Sequence, residues 1–194
     1  MSQVTSANVE RENGEPAYRL VQHHDVFDVR EYSPYLVAEV IVPGPADAAS
    51  GAGFQLLARY IFGKNDGGRR LPMTAPVTQS PLPSPRATVG TVTQTATGEA
   101  YVVQFVMPPG FTLATLPVPD DARIRLCEVP TRRVAVIRYS GRWTQANYDE
   151  HLAVLRRALV AQGIATTGEP TLSRYNAPYV PAFMRRNEIW LTLA

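Results

Sequence analysis

The sequence contains few of the side chains that form disulfides, metal sites or redox centres. Among its 194 residues there are one cysteine, Cys127, and three histidines. A single cysteine cannot form an intrachain disulfide, which fits either a reducing compartment or a protein that is indifferent to oxidation. A marked excess of one charge is also missing, since Lys and Arg number 19 against 17 Asp and Glu. So small an excess does not predict a nucleic-acid partner.

Long apolar runs are absent as well. No stretch of the sequence reaches the roughly 18 consecutive apolar residues of a membrane-spanning helix, so no membrane partner is expected. The polar start of the chain, "MSQVTSANVERENGEPAYR", has no apolar segment of the kind found in secretory signals. We therefore predict a cytoplasmic protein with a flexible tail at residues 1–16 and a single domain at residues 17–194.

Catalytic and nucleotide-binding signatures are missing too. The sequence has no Ser-His-Asp order, P-loop, glycine-rich dinucleotide fingerprint or clustered metal-ligand spacing. These absences favour a binding protein over an enzyme. The oligomeric state is left open, because nothing in the sequence indicates a large exposed apolar patch.

What the chain does contain is an alternation of strand and helix patterns. Alternating and β-branched residues predict strands at 35–42, 88–95 and 100–108, and a strand pair at 123–130 and 132–141. The stretch "YRLVQHHDVFDVREY", residues 18–32, predicts one strand with an irregularity at its histidines.

Helical spacing of apolar residues predicts two helices, one in each half of the chain. The stripe of the first helix consists of Ser50, Phe54, Leu57 and Ile61, and that of the second of Tyr148, Leu152, Leu155 and Leu159. Thr144 is a suitable N-cap for the second helix, and Gly163 is a suitable residue just past its end. Gly51 and Gly53 cost helix stability, so the first turn of the first helix is expected to fray or to pack closely.

The stretch "LPMTAPVTQ", residues 71–79, has two prolines. Each proline removes a backbone donor, so a helix or a central strand is disfavoured. Met73, Ala75 and Val77 alternate with Thr74 and Pro76. This alternation predicts an edge or bulged strand with an apolar inner face.

Two stretches of the chain align without gaps, "EYSPYLVAEVIVPG" from Glu31 and "EVPTRRVAVIRYSG" from Glu128. The identical pairs are Glu31 and Glu128, Val37 and Val134, Ala38 and Ala135, and Gly44 and Gly141, all separated by 97 residues. A predicted helix follows each copy. After each helix comes an Ala-Pro dipeptide, Ala75-Pro76 in the first copy and Ala177-Pro178 in the second, and we interpret the two as equivalent.

This repeat predicts an α+β fold made of duplicated ββαββ-like halves, at about residues 17–108 and 120–194. Two such halves can join into a pseudo-twofold, distorted antiparallel β-barrel with two α-helices. A groove where the halves meet is then the default ligand site.

Several of these segments together resemble the SOUL/heme-binding protein family. The resemblance is carried by "FDVREYSPYLVAEV", "GFQLLARYIFGKN", "MTAPVTQ", "FVMPPGFTLATLPVP", "VAVIRYSGRW" and "RYNAPYVPAFMRRNEIWL". It implies an eight- or nine-stranded distorted barrel with two helices, similar in layout to gyrase-inhibitor-like ligand-binding domains. It also implies non-covalent binding of heme or free porphyrin without established catalysis. Animal members carry two basic residues linked to the porphyrin propionates, but the matching positions here are Gly51 and Val180, so these anchors do not carry over.

Heme iron needs a His, Cys, Met or Tyr ligand unless hydrophobic contact alone holds the ring. His23 and His24 are neighbours on a predicted strand and point to opposite faces, and His24 is our candidate axial ligand. The alternative is that both are exposed polar strand residues. For His151 the favoured interpretation is a boundary residue of the second helix, and for Cys127 a buried inert thiol.

Further candidates would form the walls and the charges of a tetrapyrrole site. The apolar candidates are Phe54, Leu57, Ile61, Met73, Tyr179 and Phe183, with core packing as the favoured role of Leu57 and Ile61. Arg59 and Arg185 are candidate partners of ligand carboxylates, and Lys64, Arg69 and Arg70 surround Arg59 in a basic cluster. Alternatively, Arg185 or Arg186 pairs with Glu188 and fixes the last hairpin.

The sequence therefore supports a binding protein for heme or another tetrapyrrole, acting as carrier or buffer. The alternative is a gyrase-inhibitor-like module for other amphipathic small molecules. Such a module needs a buried carboxylate, for which Glu31, Glu39 and Glu128 are the candidates. Glu31 and Glu128 could also face one another across the pseudo-twofold, although solvent-side positions are the favoured interpretation. An enzyme acting on a tetrapyrrole or a small ester has the least support.

Overall fold

A computed structural model describes residues 14–82 and 99–194. Most of the predicted tail and the predicted strand at 88–95 lie outside these residues. The strands are β1 (Tyr18–His23), β2 (Asp28–Tyr32), β3 (Tyr35–Pro43), β4 (Val77–Pro81), β5 (Ala100–Val106), β6 (Arg125–Val129), β7 (Arg132–Tyr139), β8 (Thr166–Arg174) and β9 (Asn187–Leu193). The helices are α1 (Ala46–Ile61) and α2 (Gln145–Ala161), and short 3-10 turns occur at Asp66–Gly68 and Ala182–Met184.

All nine strands form one curled antiparallel sheet in the order β1-β2-β7-β9-β8-β4-β5-β3-β6. The predicted α+β class with a distorted barrel and two helices is confirmed, as an open half-barrel. Strands that follow each other closely in sequence are not always neighbours in the sheet. The predicted pairing of 123–130 with 132–141 is wrong, because β6 pairs with β3 while β7 pairs with β2 and β9.

The strand order from β2 to β6 reads symmetrically about the central pair of β8 and β4. Gly44 and Gly141 shortly precede α1 and α2 and have nearly equal φ angles of 113° and 114°, which favour glycine. The duplication itself stays a prediction. The predicted equivalence of the two Ala-Pro dipeptides is wrong, since Ala75-Pro76 precedes β4 whereas Ala177-Pro178 follows β8.

Each helix packs on the same side of the sheet and covers its own core. Helix α1 lies on β3 and β5, and Leu57, Tyr60 and Ile61 are fully buried beneath it. Helix α2 lies on β7 and β9 and buries Leu155 and Leu159. The predicted cap of α2 is confirmed, because the Thr144 side chain accepts a hydrogen bond from the Asn147 amide.

Two segments differ from their predicted structure. Residues 18–32 form a hairpin of β1 and β2, closed by a bond from the His24 amide to the Phe27 carbonyl, rather than one irregular strand. Strand β4 begins only at Val77 and lies between β5 and β8 in the middle of the sheet, so the predicted edge strand is wrong. Leu71 is buried in the core beneath α1, and the chain then runs along the surface, which leaves Met73 49% exposed instead of facing the interior.

Candidate functional site

A cleft of about 150 Å³ lies between the first turns of the two helices, over the central strands β4 and β8. Four aromatic side chains line it, those of Tyr101, Tyr139, Trp143 and Tyr148. The other lining residues are Ala46, Asp47, Gln79, Pro81, Thr144, Gln145, Leu172 and Arg174. The cleft therefore lies where the two halves of the sheet meet, which is the location expected from the sequence.

Arg174 is the cationic residue of this cleft. Its guanidinium donates a hydrogen bond to the Ser50 hydroxyl of α1 and lies 5.1 Å from the ring centroid of Trp143. The Nε atom is buried and has no hydrogen-bond partner among the described residues. Burial lowers the pKa of Arg174, although nearby Asp47 and Tyr139 partly oppose this effect.

Trp143 connects the cleft to the loop between β8 and β9. The Arg185 guanidinium lies 4.4 Å from the Trp143 centroid. Arg185 also donates hydrogen bonds to the carbonyls of Val180 (2.8 Å) and Pro178 (2.6 Å). Arg185 thus holds the loop against the start of α2, which differs from its predicted contact with a ligand carboxylate.

Exposed apolar side chains lie on α1 and on this loop. Tyr179 is 89% exposed and Phe183 is 78% exposed. Phe54 is partly exposed on α1, and its ring also packs on Phe105. We call Phe54, Tyr179 and Phe183 the apolar platform. Ser50, Arg174, Trp143 and Arg185 form the chain of contacts that links α1 to the loop.

A second, shallow groove of about 410 Å³ runs along the outer side of α1. Phe54, Gln55, Ala58, Arg59, Phe62 and Lys64 line it. The structure therefore brings two candidate residues together here, the Phe54 ring and the Arg59 guanidinium. Arg69 instead donates to the Thr115 carbonyl and lies over the Phe111 ring.

The two candidate histidines lie at the β1–β2 hairpin. His23 is exposed and bonds Asp28 through Nδ1 at 2.8 Å. The His24 ring stacks on Phe27 with centroids 4.3 Å apart, and its Nε2 atom is buried without a partner among the described residues. Within residues 14–82 and 99–194, no hydrogen bond, ring contact or cleft described here joins either histidine to the apolar platform.

The remaining candidates are distributed between core and surface. Leu57 and Ile61 pack in the core beneath α1 and have no surface left for a ligand, as their favoured interpretation had it. His151 stacks on Tyr139 and is bonded through Nδ1 to the Asn147 carbonyl. Burial, with Glu39 nearby, raises the pKa of the Cys127 thiol to about 11, so the thiol is not activated.

Among residues 14–82 and 99–194, Glu188 is the fully buried carboxylate, and sequence reasoning treated it only as a partner of an arginine. It lies on the sheet face opposite the helices and accepts hydrogen bonds from Arg30, Arg186, Tyr175 and Trp190 at 2.8–3.3 Å. Burial alone would raise the pKa of Glu188, but the two guanidiniums and the two neutral donors lower it below its ordinary value. The pairing of Arg186 with Glu188 is thereby confirmed.

The carboxylates named from the sequence are less buried and are already paired or exposed. Glu31 accepts from Arg19 and Arg133, and these bonds lower its pKa. Glu39 accepts from Arg125 and from Gln104. Glu128 is exposed on the edge strand β6, so it forms no pair with Glu31 in the described structure.

Sequence reasoning missed Arg174 and Trp143, although the sequence held one signal. Leu172 and Arg174 are two residues apart on β8, so they share a face of the sheet. Leu172 packs in the core under α2. A charged side chain rarely follows a core residue on the same face of a strand, so Arg174 could have been recognised as a candidate site residue.

A concave, mostly aromatic cleft with a few polar groups has the character of a small-molecule-binding site. The family model of the SOUL heme-binding protein matches residues 13–192. This chain therefore belongs to the SOUL heme-binding protein family. The family is a binding family rather than a catalytic one.

Curated relatives agree with the family assignment. Heme-binding protein 1 of Sus scrofa is 30% identical over 152 residues, which cover 77% of this chain and 74% of that protein. Heme-binding protein 1 of Xenopus laevis is 28% identical, and the match covers 84% of this chain and 82% of that protein.

Solved structures share the fold at low sequence identity. An uncharacterized conserved protein from Listeria innocua superposes with a TM-score of 0.65 and 11% identity, over 87% of this chain and 92% of that one. A protein described as a hydrolase from Listeria innocua gives a TM-score of 0.58 and 12% identity, over the same shares of the two chains. At such identities these likenesses show the fold alone. Among the described residues, no helix is both long and apolar enough to cross a membrane.

Proposed function

We propose that this protein binds heme or another tetrapyrrole non-covalently, as a carrier or buffer, on the apolar platform beside the cleft. Membership of the SOUL heme-binding protein family supports the ligand class. The observation that carries the location is the exposure of Tyr179 and Phe183 on the loop whose Arg185 lies against Trp143 of the cleft. Exposed apolar patches on soluble proteins commonly mark interaction sites.

The platform fits the ring of a tetrapyrrole better than it fits the iron. A flat conjugated ring can stack on Phe54, Tyr179 and Phe183, because aromatic faces bury large apolar areas. The candidate iron ligand His24 lies at the β1–β2 hairpin, where its ring stacks on Phe27 and its Nε2 atom is buried.

Heme, when bound, supplies a redox-active iron, and the protein supplies the surface that holds the ring. We expect the platform to bind metal-free porphyrin about as well as heme, since ring contact rather than iron ligation supplies the affinity. Arg59 shares a groove with Phe54, Arg174 contacts Ser50 of α1, and Arg185 lies in the loop that carries Tyr179 and Phe183.

The alternative, a gyrase-inhibitor-like module for amphipathic cations, has weaker support. Such a site would use a buried carboxylate to attract the cation. Glu188 is such a carboxylate, but two guanidiniums already neutralise it. The alternative therefore requires Arg30 or Arg186 to leave its partner.

A cytoplasmic location is part of the same proposal. Its support is the single cysteine, whose half-buried thiol is not activated for oxidation. The oligomeric state is left open.

Titration of the protein with hemin, followed by Soret absorbance, tests the proposal. We expect saturable binding that weakens about tenfold in Phe183→Ala or Tyr179→Ala, equivalent to ~1.4 kcal/mol of lost ring contact. Val160→Ala is the matched control, because Val160 is equally apolar and 80% exposed but lies near the end of α2. Absence of saturable binding, or equal affinity in all four proteins, would contradict the proposal.

A further inference from the structure

The charge of Arg174 is not balanced by an ion pair in the described structure. Its guanidinium contacts the Ser50 hydroxyl and the Trp143 ring, and no carboxylate among residues 14–82 and 99–194 lies within ion-pair distance of it. The guanidiniums of Arg30 and Arg186, in contrast, have carboxylate partners. Arg30 pairs with Asp28 and Glu188, and Arg186 pairs with Glu188.

Burying a charge without a counter-charge is costly. Arg132 also lacks a carboxylate, but it lies on the opposite face of the sheet against Trp190 and the Tyr35 hydroxyl. Arg174 differs from Arg132 because it lines an open cleft. The missing partner of Arg174 can therefore come from outside the protein.

The size of the cleft limits what this partner can be. Its volume of about 150 Å³ is below the roughly 300–1,000 Å³ of a typical ligand pocket. It has room for a carboxylate-bearing side arm or a small aromatic acid, but not for a whole tetrapyrrole. The four aromatic side chains of the lining suit a planar or alkyl group attached to that carboxylate.

We propose that the cleft is a carboxylate-binding site in which Arg174 is the counter-charge. The carboxylate can belong to a free aromatic acid or to a side arm of a tetrapyrrole on the apolar platform. The second source rests on the proposed function, and the first does not. Asp47 also lines the cleft and is exposed, so it opposes anion binding and tunes the affinity downward.

The first experiment separates the carboxylate from the ring. Protoporphyrin and its dimethyl ester are titrated into the wild-type protein, Arg174→Met and Arg174→Lys under identical solvent conditions. We expect the wild type to prefer the free acid about tenfold, Arg174→Met to lose this preference and Arg174→Lys to keep part of it. An unchanged preference in Arg174→Met would overturn the proposal.

A merely structural role for Arg174 gives a different result. Replacing an unpaired buried cation with an apolar side chain of similar length is expected to leave the melting temperature unchanged or higher. If Arg174→Met instead fails to fold, Asp47→Asn decides the question in the native background. This variant is expected to bind the free acid more tightly and the ester with unchanged affinity, and equal affinities for the acid in both proteins would overturn the proposal.

The second experiment does not depend on tetrapyrrole binding. Benzoate is titrated while the indole N–H signal of Trp143 is followed by NMR, with benzamide as the neutral control. We expect benzoate, but not benzamide, to shift this signal saturably in the wild type and not in Arg174→Met. If no porphyrin binds but benzoate does, the proposed function fails and the cleft proposal stands. If porphyrin acid and ester bind equally and benzoate shifts nothing, the cleft proposal fails alone.

Discussion

At the scale of single residues, the buried Glu188 and the half-buried Arg174 have their charges compensated in different ways. Glu188 is fully buried and accepts hydrogen bonds from four side chains, so its charge is compensated within the protein. Arg174 has one hydroxyl and one aromatic ring as contacts. The first arrangement serves stability, and the second leaves a charge available to a ligand.

Glu188→Gln is expected to destabilise the fold by about 3 kcal/mol, because it removes the buried negative charge that Arg30 and Arg186 share, although Arg186 keeps its pair with Glu15. Arg30 keeps Asp28 as a partner, which moderates the loss. Urea unfolding measures the change in the free energy of unfolding. Glu31→Gln is the matched control, since Glu31 is paired but accessible to solvent, and a much smaller loss is expected. Similar losses in both variants would contradict the role given to Glu188.

The same carboxylate predicts a pH dependence of stability. The pKa of Glu188 is lower in the folded protein than its ordinary value of 4.5. Its contribution is therefore fully present above about pH 4.5 and is lost as the pH falls through the lowered pKa. The acid limb of the unfolding free energy should be shallower in Glu188→Gln than in the wild type, while Glu31 and Asp121, whose pKa values are also lowered, titrate in both. If the unfolding free energies of the two proteins fall equally steeply with decreasing pH, Glu188 does not contribute to the acid sensitivity of the fold.

Residues of this kind were the hardest to predict. The sequence indicates that Arg185, Arg186 and Glu188 lie close together, but not that Arg30 comes from a distant strand to complete the network. Likewise, the contact of Arg174 with Ser50 joins residues 124 positions apart. Such partners depend on tertiary packing, which local patterns do not encode.

At the scale of elements, helix α1 lies so close to the sheet that one position admits only glycine. A Cβ atom added to Gly53 would lie 2.7 Å from Val103 side-chain atoms, whereas one added to Gly51 would meet nothing within 4 Å. Of the two outcomes expected from the sequence, close packing therefore holds at Gly53.

These two glycines predict stability changes of opposite sign. Gly53→Ala should destabilise the protein by about 1–3 kcal/mol because it pushes α1 from β5. Gly51→Ala should stabilise it by about 0.5–1 kcal/mol, since alanine is the better helix former and the position is open. Thermal unfolding of both variants measures the difference. The same sign in both would contradict the described packing of α1.

Elements with strong local signals were predicted well, and weakly marked ones were not. The pattern of β-branched residues located β3 within one residue, and Thr144 located the start of α2. Residues 71–79 were predicted as a strand along their whole length, but only their last residues belong to β4. Apolar and polar residues alternate throughout residues 71–79, but residues 71–76 have no neighbouring strand to pair with. Strand formation here therefore depended on pairing and not on the local sequence pattern.

At the scale of the whole molecule, the strand order could not be predicted in full. The repeat indicated two similar halves, but not that β2 would pair with β7 of the second half and β6 with β3 of the first. These exchanged strands connect the halves into one sheet. The cleft over β4 and β8 lies at its centre, where both helices begin. The predicted groove and this cleft both lie at the middle of the sheet, whereas most of the cleft residues were not named from the sequence.

The most direct test of the central claim compares the affinities of the wild-type protein for hemin and for metal-free protoporphyrin. If the apolar platform holds the ring, the two dissociation constants should agree within about threefold, and His23→Ala and His24→Ala should change neither. Hemin binding more than about tenfold tighter, with the excess lost in His24→Ala, would show that an iron ligand at the β1–β2 hairpin holds the ligand instead.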